Sequence, residues 1–201
     1  MYCGGYDVKK TYNEILNQIE RKRIITVAGR PAIGKTTFTV ALLEEAVKKR
    51  NAEVMYFSLA KNEDNFRNSF NLTNDSIKIV DTATTIDEIE NMCMRIESEK
   101  NLDIIALDYL QLVELKNVGI SAKDHFGIVL DRLLKLSNEL NITIIIISQL
   151  CRDVDVRNEH KPELKDIKKF GLLDEKSDMV VFLYPDRDDK LIITLAKQKL
   201  S

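Results

Sequence analysis

The chain predicts an α/β fold, a mostly parallel twisted sheet flanked by helices, and three observations carry that expectation. Short β-branched runs recur along its 201 residues with little apolar/polar alternation, which is how strands covered on both faces look. Between those runs apolar residues recur at i, i+3, i+4, i+7, the stripe of a helix with one buried side. Hydrophobic residues make up 44% and charged residues 31%, enough apolar mass for a core, and the length suits one domain of ~100–200 residues. Residues 1–201 are therefore expected to form a single unit, without linker, internal repeat or low-complexity tract.

The elements follow in order. Tyr12, Ile15, Leu16 and Ile19 mark an N-terminal helix within residues 1–22, with Arg21, Lys22 and Arg23 placed to complement its C-terminal dipole. Arg23–Ala28 is the first strand, Lys35–Lys49 an amphipathic helix, and Lys48, Lys49 and Arg50 again suit a helix C-terminus. Glu53–Leu59 and Ile77–Asp81 are strands. Ile86, Ile89, Cys93 and Ile96 define a helix that opens with Thr85-x-x-Glu88, a capping box. Asp103–Asp108 is a strand, residues 122–140 a long helix, and Ile142–Ser148 a strand. Residues 152–176 are the most polar stretch and the expected functional loop. Met179–Tyr184 and Leu191–Ala196, joined by Pro185-Asp186-Arg187-Asp188-Asp189, predict an antiparallel hairpin at the C-terminal edge.

Lysine plus arginine total 30 against 32 aspartate plus glutamate, a net charge of −2. That excludes a basic nucleic-acid coat and confines any DNA or RNA contact to a local patch. Cys3, Cys93 and Cys151 are odd in number, widely spaced and form no CxxC, and with His125 and His160 they suggest neither a disulfide frame nor a zinc site. The opening MYCGGYDVKK lacks the apolar stretch of a leader, and no run approaches ~18 apolar residues. A soluble, cytoplasmic protein without a membrane partner is expected.

Directly after the first strand stands Gly29-Arg30-Pro31-Ala32-Ile33-Gly34-Lys35-Thr36, which fits G-x-x-x-x-G-K-[ST]. Glycines let backbone N–H groups curl around a phosphate, and the next helix offers its positive N-terminus. Lys35 would reach the β- and γ-phosphates and the Thr36 hydroxyl would ligate Mg²⁺. With Thr37, these residues form the expected nucleotide segment, and ATP and Mg²⁺ are the expected ligands. Ile104-Ile105-Ala106-Leu107-Asp108 is an apolar strand ending in a carboxylate. Beside such a loop Asp108 would hold the magnesium through water. Lys161, Lys165, Lys168 and Lys169 could follow a phosphate backbone, although Glu163 and Asp166 interleave them.

With these residues in hand the chain resembles the RecA-like motor domain of DnaB-type replicative helicases. The likeness rests on GRPAIGKTTF at Gly29–Phe38, YFSL at Tyr56–Leu59, LDYLQLV at Leu107–Val113, IISQLCR at Ile146–Arg152 and, more loosely, Asp166–Tyr184. It covers residue 24 to the end and does not include that family's separate N-terminal domain. It implies a RecA-like P-loop fold, ATP and Mg²⁺ at Gly34, Lys35, Thr36 and Asp108, and Gln149 as the sensor of the γ-phosphate. It further implies single-stranded DNA along Lys165–Gly171, with Lys165, Lys168, Lys169 and Gly171 as contacts, and a hexameric ring or a full-length helicase as partner. Lys197 matches a lysine that reaches a neighbouring subunit's nucleotide.

The sequence departs from the family's pattern in several places. Ala60 stands where the family has the glutamate that orients the attacking water, and losing such a base costs ~10²–10⁴-fold. Glu63 is the candidate substitute, with Asp64 beside it. Lys199 replaces an interface arginine finger, a point charge instead of a bidentate fork. Lys168 and Lys169 stand where the family tends to show arginine and glutamate, and Ser201 comes before its closing strand. Two functions follow as expectations: a Mg-ATP-binding helicase motor domain, or a non-hydrolysing ATP-binding adaptor of such a helicase. A P-loop small-molecule kinase has little support, since no arginine-rich lid is present.

Overall fold

The computed structural model describes residues 8–19, 23–72, 77–116, 119, 121–150, 154, 161–168, 170 and 172–198. Helix α1 (Val8–Gln18) precedes strand β1 (Ile24–Gly29), helix α2 (Lys35–Arg50), β2 (Val54–Ser58), α3 (Glu63–Phe70), β3 (Ile77–Val80) and α4 (Ile86–Glu99). Then come β4 (Ile104–Asp108), a 3-10 turn (Leu110–Leu112), α5 (Ala122–Leu140), β5 (Thr143–Gln149), two short helices α6 (Lys165–Lys168) and α7 (Leu173–Lys176), β6 (Met179–Pro185) and β7 (Leu191–Gln198).

One seven-stranded sheet has the order β3-β2-β4-β5-β1-β6-β7. Every pairing is parallel except the hairpin β6–β7. Strands β1, β2 and β5 are buried along nearly their whole length, as their unbroken apolar runs require of a sheet covered on both sides. One face packs Ile105, Leu107, Ile144 and Ile146 against α4 and α5. The other packs Ile25, Val27, Tyr56 and Ile145 against α1, α2 and Phe66 of α3.

Helix ends are fixed by local chemistry. Thr85 and Glu88 close a reciprocal capping box on α4, and Asn51, Asn71 and Asn141 take the left-handed conformation that ends α2, α3 and α5. A cation from another helix reaches the end of α1. Arg50, from the far end of α2, donates to the carbonyls of Ile19 (2.7 Å) and Leu16 (3.0 Å). Arg23 is buried at the foot of β1, and Arg21 and Lys22 lie outside the described residues. Cys93 is buried, and burial pushes its thiol up to about 12, while Cys3, Cys151 and His160 are outside the described residues. His125 Nε2 lies 2.8 Å from the Val113 carbonyl and ties α5 to the segment after β4. Among the described residues no helix is long and apolar enough to cross a membrane.

Candidate functional site

Parallel strands deliver their carboxyl ends to one rim of the sheet, the usual ligand edge of an open α/β fold. Gly29 ends β1 opposite Gln149 of β5, and Asp108 ends β4 beside Ile147 of β5 on one side and Ser58 of β2 on the other. The residues singled out in the phosphate motif, the acidic strand end and the glutamine therefore share this rim, although 41 positions separate Asp108 from Gln149 in sequence.

The loop between β1 and α2 turns through two left-handed residues, Ala32 (φ 62°) and Gly34 (φ 97°), and only glycine enters that region without cost. The first glycine of the motif has another task. A Cβ on Gly29 would stand 2.5 Å from the Leu183 carbonyl of β6, so its absence admits the neighbouring strand. Pro31, Ala32 and Thr37 are exposed, Ile33, Gly34 and Thr36 half-buried. Arg30 Nη1 donates to the Leu150 carbonyl (3.0 Å) and Leu150 N–H to that of Gly29 (3.1 Å), which fastens the loop to the end of β5.

Lys35 is 7% exposed, and its ammonium donates to the Arg30 carbonyl at 2.8 Å. Burial lowers its pKa to about 8, helped by Arg30 and opposed by the Asp108 carboxylate. Thr36 Oγ1 donates to Asp108 Oδ2 at 2.7 Å. The hydroxyl and carboxylate that the sequence marks for magnesium thus meet. Both are hard oxygen donors, and one hydroxyl with one carboxylate suits an ion that keeps waters and phosphate oxygens as its other ligands. The residues present fit magnesium.

One contact there was not singled out as site chemistry from sequence. Tyr56 donates its hydroxyl to the same Asp108 Oδ2, also at 2.7 Å. A tyrosine in an otherwise apolar buried strand has to find a partner for its hydroxyl, and that was the available signal. Gln111 donates to Ser148 Oγ (3.0 Å) and the Gln149 carbonyl (3.3 Å), and its Oε1 accepts from Gln149 N–H (3.4 Å). Its amide clamps the backbone that carries Gln149.

Next to this cluster the strand end of β2 is closed by Ser58 Oγ on the Lys61 carbonyl (2.6 Å) and Leu59 N–H on that of Asp108 (2.9 Å). Ala60 is exposed. Asn62 caps α3, and the Glu63 carboxylate pairs with Arg67 at 2.7 Å while its N–H donates to Asp81. Lys165 pairs with Glu163 at 2.7 Å. Lys168 lies in α6, and its side chain, Lys169, Gly171 and Lys199 are outside the described residues. Lys197 donates to its own chain's carbonyls, those of Asp174 and Glu175 (3.1 Å for the latter).

Comparison with known proteins agrees with this architecture. One solved ATPase domain has the same fold, with a TM-score of 0.79 at 19% identity over 98% of this chain and 92% of that one. A DnaB-like replicative helicase, whose structure was described with its interactions with primase, has a TM-score of 0.81 at 20% identity over 97% of this chain and 63% of its own. In sequence, the replicative DNA helicase DnaB of Geobacillus stearothermophilus is 30% identical over 83% of this chain and 44% of its own length. The replicative DNA helicase DnaC of Bacillus subtilis is 29% identical with the same coverage. The chain thus spans less than half the length of these two relatives. The DnaB-like helicase C terminal domain family matches residues 9–70 and 60–199. With its phosphate loop, its acidic strand end and nearly its whole length inside that match, the chain belongs to the DnaB-like helicase C-terminal domain family.

Proposed function

We propose that this domain binds Mg-ATP between the β1–α2 loop and Asp108 and serves as the motor unit of a DnaB-like helicase on single-stranded DNA. The convergence of Lys35, Thr36 and Asp108 at one rim of the sheet supports this most directly. Lys35 exchanges the Arg30 carbonyl for phosphate oxygens, Thr36 and Asp108 hold the metal, and Gln149, clamped by Gln111, senses the terminal phosphate. Magnesium held there would supply charge neutralisation at the phosphates. Lys165, Lys168, Lys169 and Gly171 supply contacts to the DNA backbone, and Lys197 and Lys199 act at the interface of a ring.

One observation favours a second reading, in which nucleotide is a structural ligand of a non-hydrolysing partner of a full-length helicase. Ala60 cannot polarise a water, and Glu63, its nearest replacement, is held by Arg67.

Equilibrium binding of Mg-ATP, followed by phosphate release at high protein concentration with and without single-stranded DNA, separates the two. Turnover that rises with DNA and vanishes in Lys35→Ala is expected of the motor. Binding without turnover, restored ~10²-fold or more by Ala60→Glu, marks a motor that has lost its base. Binding without turnover even in Ala60→Glu means that more than the base is missing and favours the adaptor, or a domain silent without its full-length ring, and no binding overturns both.

A further inference from the structure

We propose that Tyr56 is a positioning residue for the magnesium site, its hydroxyl joining that of Thr36 on Asp108 Oδ2 so that Oδ1 is reserved for a metal-bound water. The inference rests on the nucleotide reading above and concerns a residue outside the phosphate motif. Tyr56 pairs in register with Ala106, and Asp108 lies two residues further along the same face. With strands ~4.8 Å apart and ~3.3 Å of rise per residue that diagonal is ~8 Å, and the phenol spans it to Asp108. Helix α2 packs on this face too, which brings Thr36 to the same oxygen from above.

Tyr56 is fully buried, and its ring packs tilted against Phe66 with centroids 4.5 Å apart, Phe66 in turn meeting Phe70 at 4.9 Å. The ring is thus fixed from the side of α3, and the phenol meets the site at Asp108, with the Thr36 hydroxyl beside it. A phenylalanine would fill the same space without the cost of burying a hydroxyl, so the oxygen needs an explanation that packing does not supply.

The test measures binding of N-methylanthraniloyl ADP to wild type and Tyr56→Phe, over a Mg²⁺ series and in EDTA. The apparent Mg²⁺ affinity of the nucleotide complex should fall ~10-fold or more, the range for groups that orient metal ligands, with affinity in EDTA unchanged. An unchanged Mg²⁺ affinity, or equal losses with and without metal, overturns the proposal. In an Asp108→Asn background Tyr56→Phe should cause no further loss, and a second full loss overturns it as well. Should Tyr56→Phe fail to fold, wild type carrying 3-fluorotyrosine replaces it. A ¹⁹F resonance of a buried ring that moves when Mg²⁺ joins the nucleotide complex is expected, and none moving counts against the proposal. Failure of wild type to bind nucleotide in any condition removes the nucleotide reading itself, a result distinct from normal binding in both proteins.

Discussion

At Lys35 one buried ammonium sets the pH range of phosphate capture. Its pKa of about 8 means that the charge is present below that pH and is lost above it. Nucleotide affinity of the free chain should fall as pH rises through about 8, and the fall should be absent in Lys35→Ala, whose affinity at neutral pH should be ~10–100-fold weaker, as for loss of a charged hydrogen bond; titration of a fluorescent nucleotide against pH checks both. Stability runs the other way. The unfolded lysine holds its proton up to its ordinary value of 10.5, so the unfolded state binds more protons between about 8 and 10.5 and folding stability rises across that window. At this scale the sequence was most legible where chemistry restricts residue types, as in Lys35, Thr36 and Asp108. It was least legible where a side chain's partner comes from another strand: nothing within YFSL says that Tyr56 meets Asp108, because the diagonal exists only once β2 pairs with β4.

Among the elements, β1 and α4 show why some boundaries can be read and others cannot. The capping box of α4 is local, four residues that satisfy one another, and its pattern is visible in the string of letters. Thr85→Ala should cost about 1 kcal/mol, seen as a lower denaturant midpoint with unchanged slope. Gly29 is the opposite case. Its need arises from Leu183, 154 positions away, and a phosphate motif gives no hint of it. Gly29→Ala should destabilise by ~1–3 kcal/mol through overpacking against backbone, even in the absence of nucleotide. Helix α3, with Phe66 as its only buried residue, and the four-residue α6 and α7 carry too few apolar repeats to announce themselves. They escaped the periodicity argument for that reason, and the long polar stretch read as one loop contains two of them.

For the whole molecule, composition and strand type foretold a sheet covered on both sides, but the strand order could not be read, since parallel partners lie far apart in sequence and no turn links them. The order places β5 at the centre with β4 beside it, and Ile105 and Ile145 are fully buried on opposite faces. Ile105→Ala and Ile145→Ala should each cost ~2–5 kcal/mol, and calorimetry should show one cooperative transition for either, because both cores share the same strands. The one reversed strand has a consequence for reach. β7 starts at the rim where the phosphate loop sits and runs away from it, so that Lys197 pairs with Val180, level with Thr26 of β1. Lys197 is therefore ~10 Å back along the strands and ~10 Å across them from Gly29, and a lysine stem does not bridge that gap. Lys197 thus stands away from its own chain's phosphate loop, and its ammonium is occupied there by the carbonyls of Asp174 and Glu175.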